Sequence, residues 1–151
     1  MRRELRGVYA ADAGALIELV YASCIGSMLL NAMLDQEVEL VTHELAVTEL
    51  HYILCRQLGE REAKARVEKL LSSGYLVVED LSGLLETAAN YKCKRSISLP
   101  DCFTLSLGKE RSLPVLFARK EKELLAENDK EAFNVDIHYL EDYVDLEPKN
   151  E

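Results

Sequence analysis

Basic residues are in short supply in this chain. Its 151 residues include 18 lysines and arginines against 27 aspartates and glutamates, which gives a formal net charge of −9. This balance excludes a protein that holds nucleic acid through a broad basic face. It stays compatible with an enzyme that acts on nucleic acid through a small basic rim and metal ions.

The chain also has few residues that bind transition metals. Its four cysteines contain no C-x-x-C pair, and only three histidines are available to join them. Neither a zinc site nor a disulfide framework is indicated. Reduced, buried thiols are the default in a cytosolic protein, so a cytoplasmic location is expected.

Signals for membrane targeting are weak. The first six residues lack the apolar core of a signal peptide. Residues 13–34 carry a single charge, Glu18, and are long enough to cross a membrane. However, Gly14 and Gly26 interrupt the stretch, and a carboxylate at membrane depth costs at least ~2.5 kcal/mol. The pattern therefore favours two buried helices, and no membrane contact is expected.

Short apolar runs alternate with helical patterns along the whole sequence. Strands are predicted at residues 7–11, 38–41, 75–78, 113–117 and 135–139, and the later helices at 60–73, 81–95, 98–109 and 119–128. Such alternation predicts a three-layer α/β/α fold around a parallel sheet of about five strands. No repeat or linker divides it, so residues 1–151 are interpreted as one domain, with a core of about 7–142 and a frayed tail after residue 146.

Acidic residues stand at corresponding corners of this alternating pattern. Asp12 follows the first strand, Glu49 lies in the helix after the second, and Glu121 follows the fourth. Asp101 lies with Pro100 in the first turn of a helix, where the positive end of the helix dipole should ionise it easily. Strand-to-helix junctions of a parallel sheet share one edge, so Asp12, Glu121 and the helix of Glu49 should face one crevice. Asp101 can join them if its helix starts at that edge.

Each acid has a purely structural explanation as well. Asp12 could be a helix N-cap, Asp101 could form a capping box with Ser98, and Glu49 could be a surface residue at the flank of its helix. Glu49 nevertheless has apolar helical neighbours at Leu45, Tyr52 and Ile53. Clustered carboxylates repel one another unless a cation lies between them, and such oxygen ligands select Mg²⁺ or Mn²⁺. The chemistry inferred from the residues is metal-assisted hydrolysis of a phosphodiester.

Three segments resemble a known family. Residues 12–16, Asp-Ala-Gly-Ala-Leu, look like the D-[ST]-[SAN]-x-[LI] opening of PIN domains. Residues 48–50, Thr-Glu-Leu, are similar to the second acidic motif of that family, and residues 99–105 to the third. In order and spacing, the resemblance runs from about residue 7 to residue 142.

This resemblance implies a Mg²⁺- or Mn²⁺-dependent ribonuclease with Asp12, Glu49 and Asp101 as catalytic metal ligands. It also implies an RNA substrate and, as in VapC-type toxins, a homodimer that pairs with an antitoxin protein. The sequence departs from the family pattern at Gly14, where a hydroxyl residue is common. It departs again at residues 118–120, Ala-Arg-Lys, where the fourth motif is usually [TS]-x-D. Three outcomes are open: Glu121 replaces the fourth acid, three acids suffice, or the site has lost activity.

Two small basic clusters could hold the phosphates of a substrate. Lys94 and Arg95 precede the helix of Asp101, and Arg119 and Lys120 follow the fourth strand. Both clusters could rim the crevice and bind RNA. Their position at helix ends explains them equally well, because cations suit helix C-termini.

Two other functions fit parts of the pattern. A PIN-like fold with weakened or lost nuclease activity could act as a binding module. A receiver-type signalling domain would instead use Glu79, Asp80 and Lys120, but it would leave Glu49 and Asp101 without a role.

Overall fold

The computed structural model describes residues 4–144. Its five strands form one parallel sheet in the order β3-β2-β1-β4-β5. The strands are β1 Gly7–Ala11, β2 Val38–His43, β3 Leu76–Glu79, β4 Val115–Phe117 and β5 Ile137–Tyr139. The helices are α1 Ala13–Tyr21, α2 Cys24–Leu34, α3 Glu44–Leu58, α4 Glu60–Ser72, α5 Leu85–Lys94, α6 Leu99–Arg111 and α7 Lys122–Lys130. Two 3-10 turns lie at Ser82–Leu84 and Leu140–Tyr143.

Helices cover both faces of the sheet, because side chains of the central strands β1 and β4 are buried on both sides. In β1, Tyr9 and Ala11 pack into one core cluster with residues of α1 to α4, whereas Ala10 packs into a second with residues of α5 to α7. In β4, Leu116 joins the first cluster, while its two neighbours join the second. Side chains alternate between the faces of a strand, so burial of consecutive residues requires a cover on each side. The predicted three-layer α/β/α fold with five parallel strands is confirmed.

The apolar stretch over residues 13–34 folds as two helices. Helix α1 ends at Ala22, which has a left-handed φ of 49°, and Ser23 then caps α2 by accepting the Gly26 N–H at 3.0 Å. Within residues 4–144, no single helix has both the length and the apolar composition to cross a membrane. Within the same residues, only α1 and α2 taken together have the required length and apolar composition, and these two helices meet at an angle of 91°.

Several predicted boundaries differ from the structure. The helix predicted at 81–95 begins as a 3-10 turn, and α-helix starts only at Leu85. The strands predicted at 113–117 and 135–139 shorten to three residues each, and the helix predicted from residue 119 begins at Lys122. Residues 118–121 instead form a loop tied to the second 3-10 turn, since the Lys120 N–H donates to Glu141 Oε1 at 2.9 Å. The predicted frayed tail after residue 146 lies outside the described residues.

Candidate active site

Asp12 lies where the order of the strands changes direction. It directly follows β1, and its N–H donates to the Leu116 carbonyl of β4 at 3.2 Å. Its carboxylate Oδ1 accepts the Ala15 N–H at 2.9 Å, so Asp12 is the N-cap of α1. Ligand sites of open α/β sheets form at such a point, outside the carboxyl ends of the strands. The capping interpretation and the site interpretation of Asp12 are therefore compatible.

The carboxylate of Asp12 is buried among other acids. Only 9% of the residue is exposed. Burial raises the pKa of Asp12 to about 8, the Ala15 N–H opposes that change, and the negative charges of Asp101, Glu121 and Glu49 add to it. The four acids singled out from the sequence therefore lie near enough for their charges to act on one another.

Asp101 enters the cluster from the first turn of α6. Its main-chain N–H donates to Ser98 Oγ at 3.2 Å, which is one half of the capping box that the sequence suggests. Burial, followed by the charge of Glu121, raises the pKa of Asp101 to about 6, although a hydrogen bond with Ser98 opposes it. The expectation that Asp101 ionises easily is wrong, because burial and neighbouring acids outweigh the helix dipole.

Glu49 and Glu121 complete the group. Glu49 is half-buried on α3, and burial together with the charge of Glu121 raises its pKa. Glu121 is exposed at the N-cap position of α7, where its side chain makes no capping hydrogen bond. Its charge raises the pKa of each of the other three acids. Glu121 thus lies at the open side of the group, next in sequence to the altered fourth motif.

Gly14 leaves room beside the Asp12 carboxylate. A Cβ atom built at Gly14 would lie 3.1 Å from Asp12 Oδ2 and 3.3 Å from the Cβ of Ala118. These contacts are tighter than ordinary van der Waals contacts, so a side chain at Gly14 would press on the carboxylate and on the loop of the fourth motif. The two departures from the family pattern, at Gly14 and at residues 118–120, therefore lie beside each other.

The donor atoms of this group suit a hard divalent cation in kind. Carboxylate oxygens are the ligands that Mg²⁺ and Mn²⁺ prefer, and burial first, with the charges of neighbouring acids second, raises the pKa of Asp12 and of Asp101. Within residues 4–144, however, no three side chains of His, Cys, Asp or Glu stand close enough to enclose an ion as placed. The four acids are near enough for their charges to interact, but as placed no three of them are close enough to share one ion.

A buried histidine, not singled out from the sequence, connects the two helices that carry Glu49 and Asp101. His43 is the N-cap of α3: its Nδ1 accepts the Ala46 N–H at 3.1 Å, so the ring is neutral with its proton on Nε2. Nε2 then donates to Thr104 Oγ1 at 2.9 Å, and Thr104 donates to the Pro100 carbonyl at 3.2 Å. Burial lowers the pKa of His43 to about 4. The available signal was the presence of two hydroxyl residues, Thr104 and Ser106, within the otherwise apolar residues 102–107 of α6.

The predicted substrate-binding residues lie in two separate places. Arg119 pairs with Glu18 at 3.3 Å, and Lys120 Nζ pairs with Asp142 at 2.8 Å, so both belong to the loop that carries Glu121. Lys94 and Arg95 instead line a cavity to which none of the four acids contributes. Contact of these four residues with a substrate stays a prediction.

The chain is similar to the solved structure of VapC20 from Mycobacterium tuberculosis, described as a toxin that cleaves the sarcin-ricin loop. The identity is 18% and the TM-score 0.62, over 80% of this chain and 94% of that one. A toxin-antitoxin complex from Klebsiella pneumoniae aligns at 14% identity and a TM-score of 0.57, over 78% and 89% of the two chains. FitAcB from Neisseria gonorrhoeae aligns at 15% identity and a TM-score of 0.56, over 89% of this chain and 98% of that one.

No curated protein matches the chain in sequence. The sequence profile of the PIN domain family, however, matches residues 9–136. This range contains all three segments that resemble PIN-domain motifs. The match assigns the chain to a family other than the receiver domains, so the receiver-type alternative is dropped. The match covers most of the chain and the solved structures share its architecture, so the chain belongs to the PIN domain family.

Proposed function

We propose that this chain is an endoribonuclease that hydrolyses RNA phosphodiester bonds with Mg²⁺ or Mn²⁺ held by Asp12, Glu49 and Asp101. The observation that carries the proposal is the mutual effect of the acids. Like charges add to burial in raising the pKa of both Asp12 and Asp101. A group of this kind is costly without a cation, and its oxygen donors suit a hard one.

The chain's own residues would fix where such an ion and the substrate lie. The Ala15 N–H orients the Asp12 carboxylate, and the first turn of α6 presents Asp101. Glu121, exposed at the open side, would take the part of the fourth acid. A bound divalent ion lowers the pKa of a water ligand and neutralises charge on the phosphodiester. The residues supply position and charge, and the His43 to Thr104 link keeps α3 and α6 in register.

The biological class we propose is the toxin of a toxin-antitoxin pair, acting in the cytoplasm as a homodimer that an antitoxin protein binds. Support comes from two of the similar solved structures, one of a toxin and one of a toxin-antitoxin complex. The adjacent reading frame tests it. A short upstream gene for a DNA-binding antitoxin is expected, and expression of this chain alone should arrest growth.

A second candidate is a PIN domain that binds a partner without cutting RNA. The altered fourth motif and the open arrangement of the acids favour it. Calorimetric titration of the wild type and of Asp12→Asn with Mn²⁺ separates the two functions. A nuclease should bind the ion and lose affinity in the variant, whereas an inactive scaffold should bind weakly in both.

Cleavage of end-labelled RNA is the direct test of the proposed activity. The wild type should cut in the presence of Mn²⁺ or Mg²⁺ and stop when EDTA is added. Asp101→Asn should abolish cleavage without unfolding the chain, because the cap at Ser98 uses the main-chain N–H of Asp101. Asp129→Asn, which changes an exposed aspartate of α7, is the matched control and should cleave normally. Equal cleavage by wild type and Asp101→Asn would remove Asp101 from the mechanism.

A further inference from the structure

A polar cavity lies between α5, α6 and the segment before β5. Its volume is about 150 Å³, and three cations, Lys94, Arg95 and Lys109, line it together with one carboxylate residue, Glu131. Since a water molecule occupies roughly 30 Å³, the cavity has room for a small hydrated anion. In a chain with nine more acidic than basic residues, this excess of positive charge around one cavity is unusual.

The cations retain free hydrogen-bonding capacity. Within the part of the chain that the structure describes, neither Lys94 nor Lys109 forms an ion pair with a carboxylate, and Lys109 lies over the Tyr91 ring at 5.9 Å. Arg95 uses Nη1 in its bonds to the Glu127 and Glu131 carbonyls, at 2.8 and 2.7 Å, and the same nitrogen lies 3.8 Å from Glu127 Oε2 in an ion pair. These contacts fix the guanidinium at the C-terminal end of α7, and among the described residues they leave the two lysines as the cations of the cavity without a carboxylate partner. The cavity therefore has a rigid cation and two adaptable ones.

An unpaired hydroxyl belongs to the same wall. Tyr91 lines the cavity, and among residues 4–144 its hydroxyl is the one buried side-chain oxygen or nitrogen without a hydrogen-bond partner. Buried polar groups in native proteins nearly always have a partner, so an orphan calls for an explanation. The amides of Asn90 and Asn134 also line the cavity and add donors and acceptors.

We propose that this cavity binds a phosphate group of the RNA strand, at a position separate from the acids that would cut it. The inference rests on the proposed action on RNA. Three cations with neutral amide donors suit a phosphodiester, which brings one negative charge and several acceptor oxygens. An acidic protein needs local cationic points to bind RNA, because its net charge of −9 repels a polyanion.

The distance to the acids suits a single strand. Asp101 lies six positions after Arg95, so their Cα atoms are at most about 20 Å apart, the length of a fully extended segment. Stacked nucleotides advance about 3.4 Å each along a strand. One RNA strand of about six nucleotides therefore reaches both places, and the cavity would select the length and register of the substrate.

Fluorescence anisotropy with a labelled oligouridine in EDTA tests this inference without requiring metal or cleavage. The double variant Lys94→Gln with Lys109→Gln should bind about tenfold more weakly, the scale of a lost charge-assisted hydrogen bond. The slope of log affinity against log salt should fall by about 0.7, as for one phosphate contact on a single strand. The control is Lys64→Gln with Lys69→Gln, which removes the same charge from exposed positions of α4 and should match the wild type.

Three results would overturn the inference: equal affinity and salt slope in the two double variants, no RNA binding by the wild type, or tight binding of inorganic phosphate with unchanged RNA affinity in the cavity variant. The last would assign the cavity to a free phosphate compound. Loss of RNA affinity in a protein that never cleaves would refute the nuclease and leave this site intact. Normal RNA affinity in a cavity variant that still cleaves RNA would refute the phosphate site and leave the proposed nuclease activity intact.

Discussion

Replacement of Asp12 by asparagine should stabilise the metal-free protein, and the gain should grow as the pH rises. The folded-state pKa of Asp12 is about 8, against an ordinary value of 3.8. Between these values the unfolded chain has released a proton that the folded chain keeps, so stability is greatest below about pH 4 and falls as the pH rises toward 8. Asp101, with a pKa raised to about 6, contributes in the same direction over the lower part of that range.

The size of the effect follows from the pKa difference. One pKa unit corresponds to about 1.4 kcal/mol, so the rise from 3.8 to about 8 gives an upper limit of about 6 kcal/mol for Asp12. An asparagine has no proton to lose, and its side-chain oxygen can still accept the Ala15 N–H that caps α1. The variant should therefore keep the cap and lose most of the pH dependence that Asp12 causes.

Urea unfolding followed by far-UV circular dichroism measures this, because the chain contains no tryptophan for fluorescence. In EDTA, the stability of Asp12→Asn relative to the wild type should rise by roughly 4 kcal/mol between pH 5 and pH 8. Asp129→Asn should run parallel to the wild type. Added Mn²⁺ should stabilise the wild type at alkaline pH and leave Asp12→Asn nearly unchanged, since only a site that binds the ion gains from it. Parallel pH profiles for Asp12→Asn and the wild type would refute the argument that Asp12 is buried among like charges.

Two further predictions concern stability. Thr104→Val leaves the Nε2–H of the fully buried His43 without an acceptor, so urea unfolding should show a loss of about 1–3 kcal/mol; a loss below about 0.5 kcal/mol would mean that the link contributes little. Gly108→Ala places a Cβ 2.3 Å from Val115 Cγ2 and should cost about 1–3 kcal/mol, whereas Gly83→Ala meets no atom within 4 Å and serves as the control. Equal stability of the two glycine variants would show that α6 can move away from β4 at no cost.

Much of the fold could be predicted because local and global patterns agree. The run at residues 7–11 is apolar at each of its last four positions. A strand needs consecutive apolar residues when both of its faces are buried, and β1 is buried in this way. Alternation of strands and helices then implies a parallel sheet, and a parallel sheet brings Asp12 and Glu121 to one edge. The approach of Asp101 depended on where α6 begins, and Pro100 marked that position.

What the sequence did not reveal depends on contacts between distant segments. The ionisation of Asp101 was wrongly expected to be easy, because helix position is a local property whereas burial and the charge of Glu121 are not. Likewise, His43 and Thr104 are 61 residues apart, and no periodicity predicts that their side chains meet. Lys94 and Arg95 looked like part of the crevice rim, but the C-terminal end of α7 binds Arg95 beside a different cavity.

The altered fourth motif bears on how this PIN domain could collect charge around a cation. Residues 118–121 are tied to the second 3-10 turn, because the Ala118 carbonyl accepts the Glu141 N–H at 3.1 Å and the Lys120 N–H donates to the Glu141 side chain. Glu121 is the last residue of this loop, and its charge raises the pKa of the other three acids although its side chain is exposed. A longer side chain one position further on can therefore supply the negative charge that an aspartate of the usual motif would provide. A residue larger than Gly14 would crowd both the Asp12 carboxylate and Ala118, so the loop of the altered motif can lie beside Asp12 because position 14 carries no side chain.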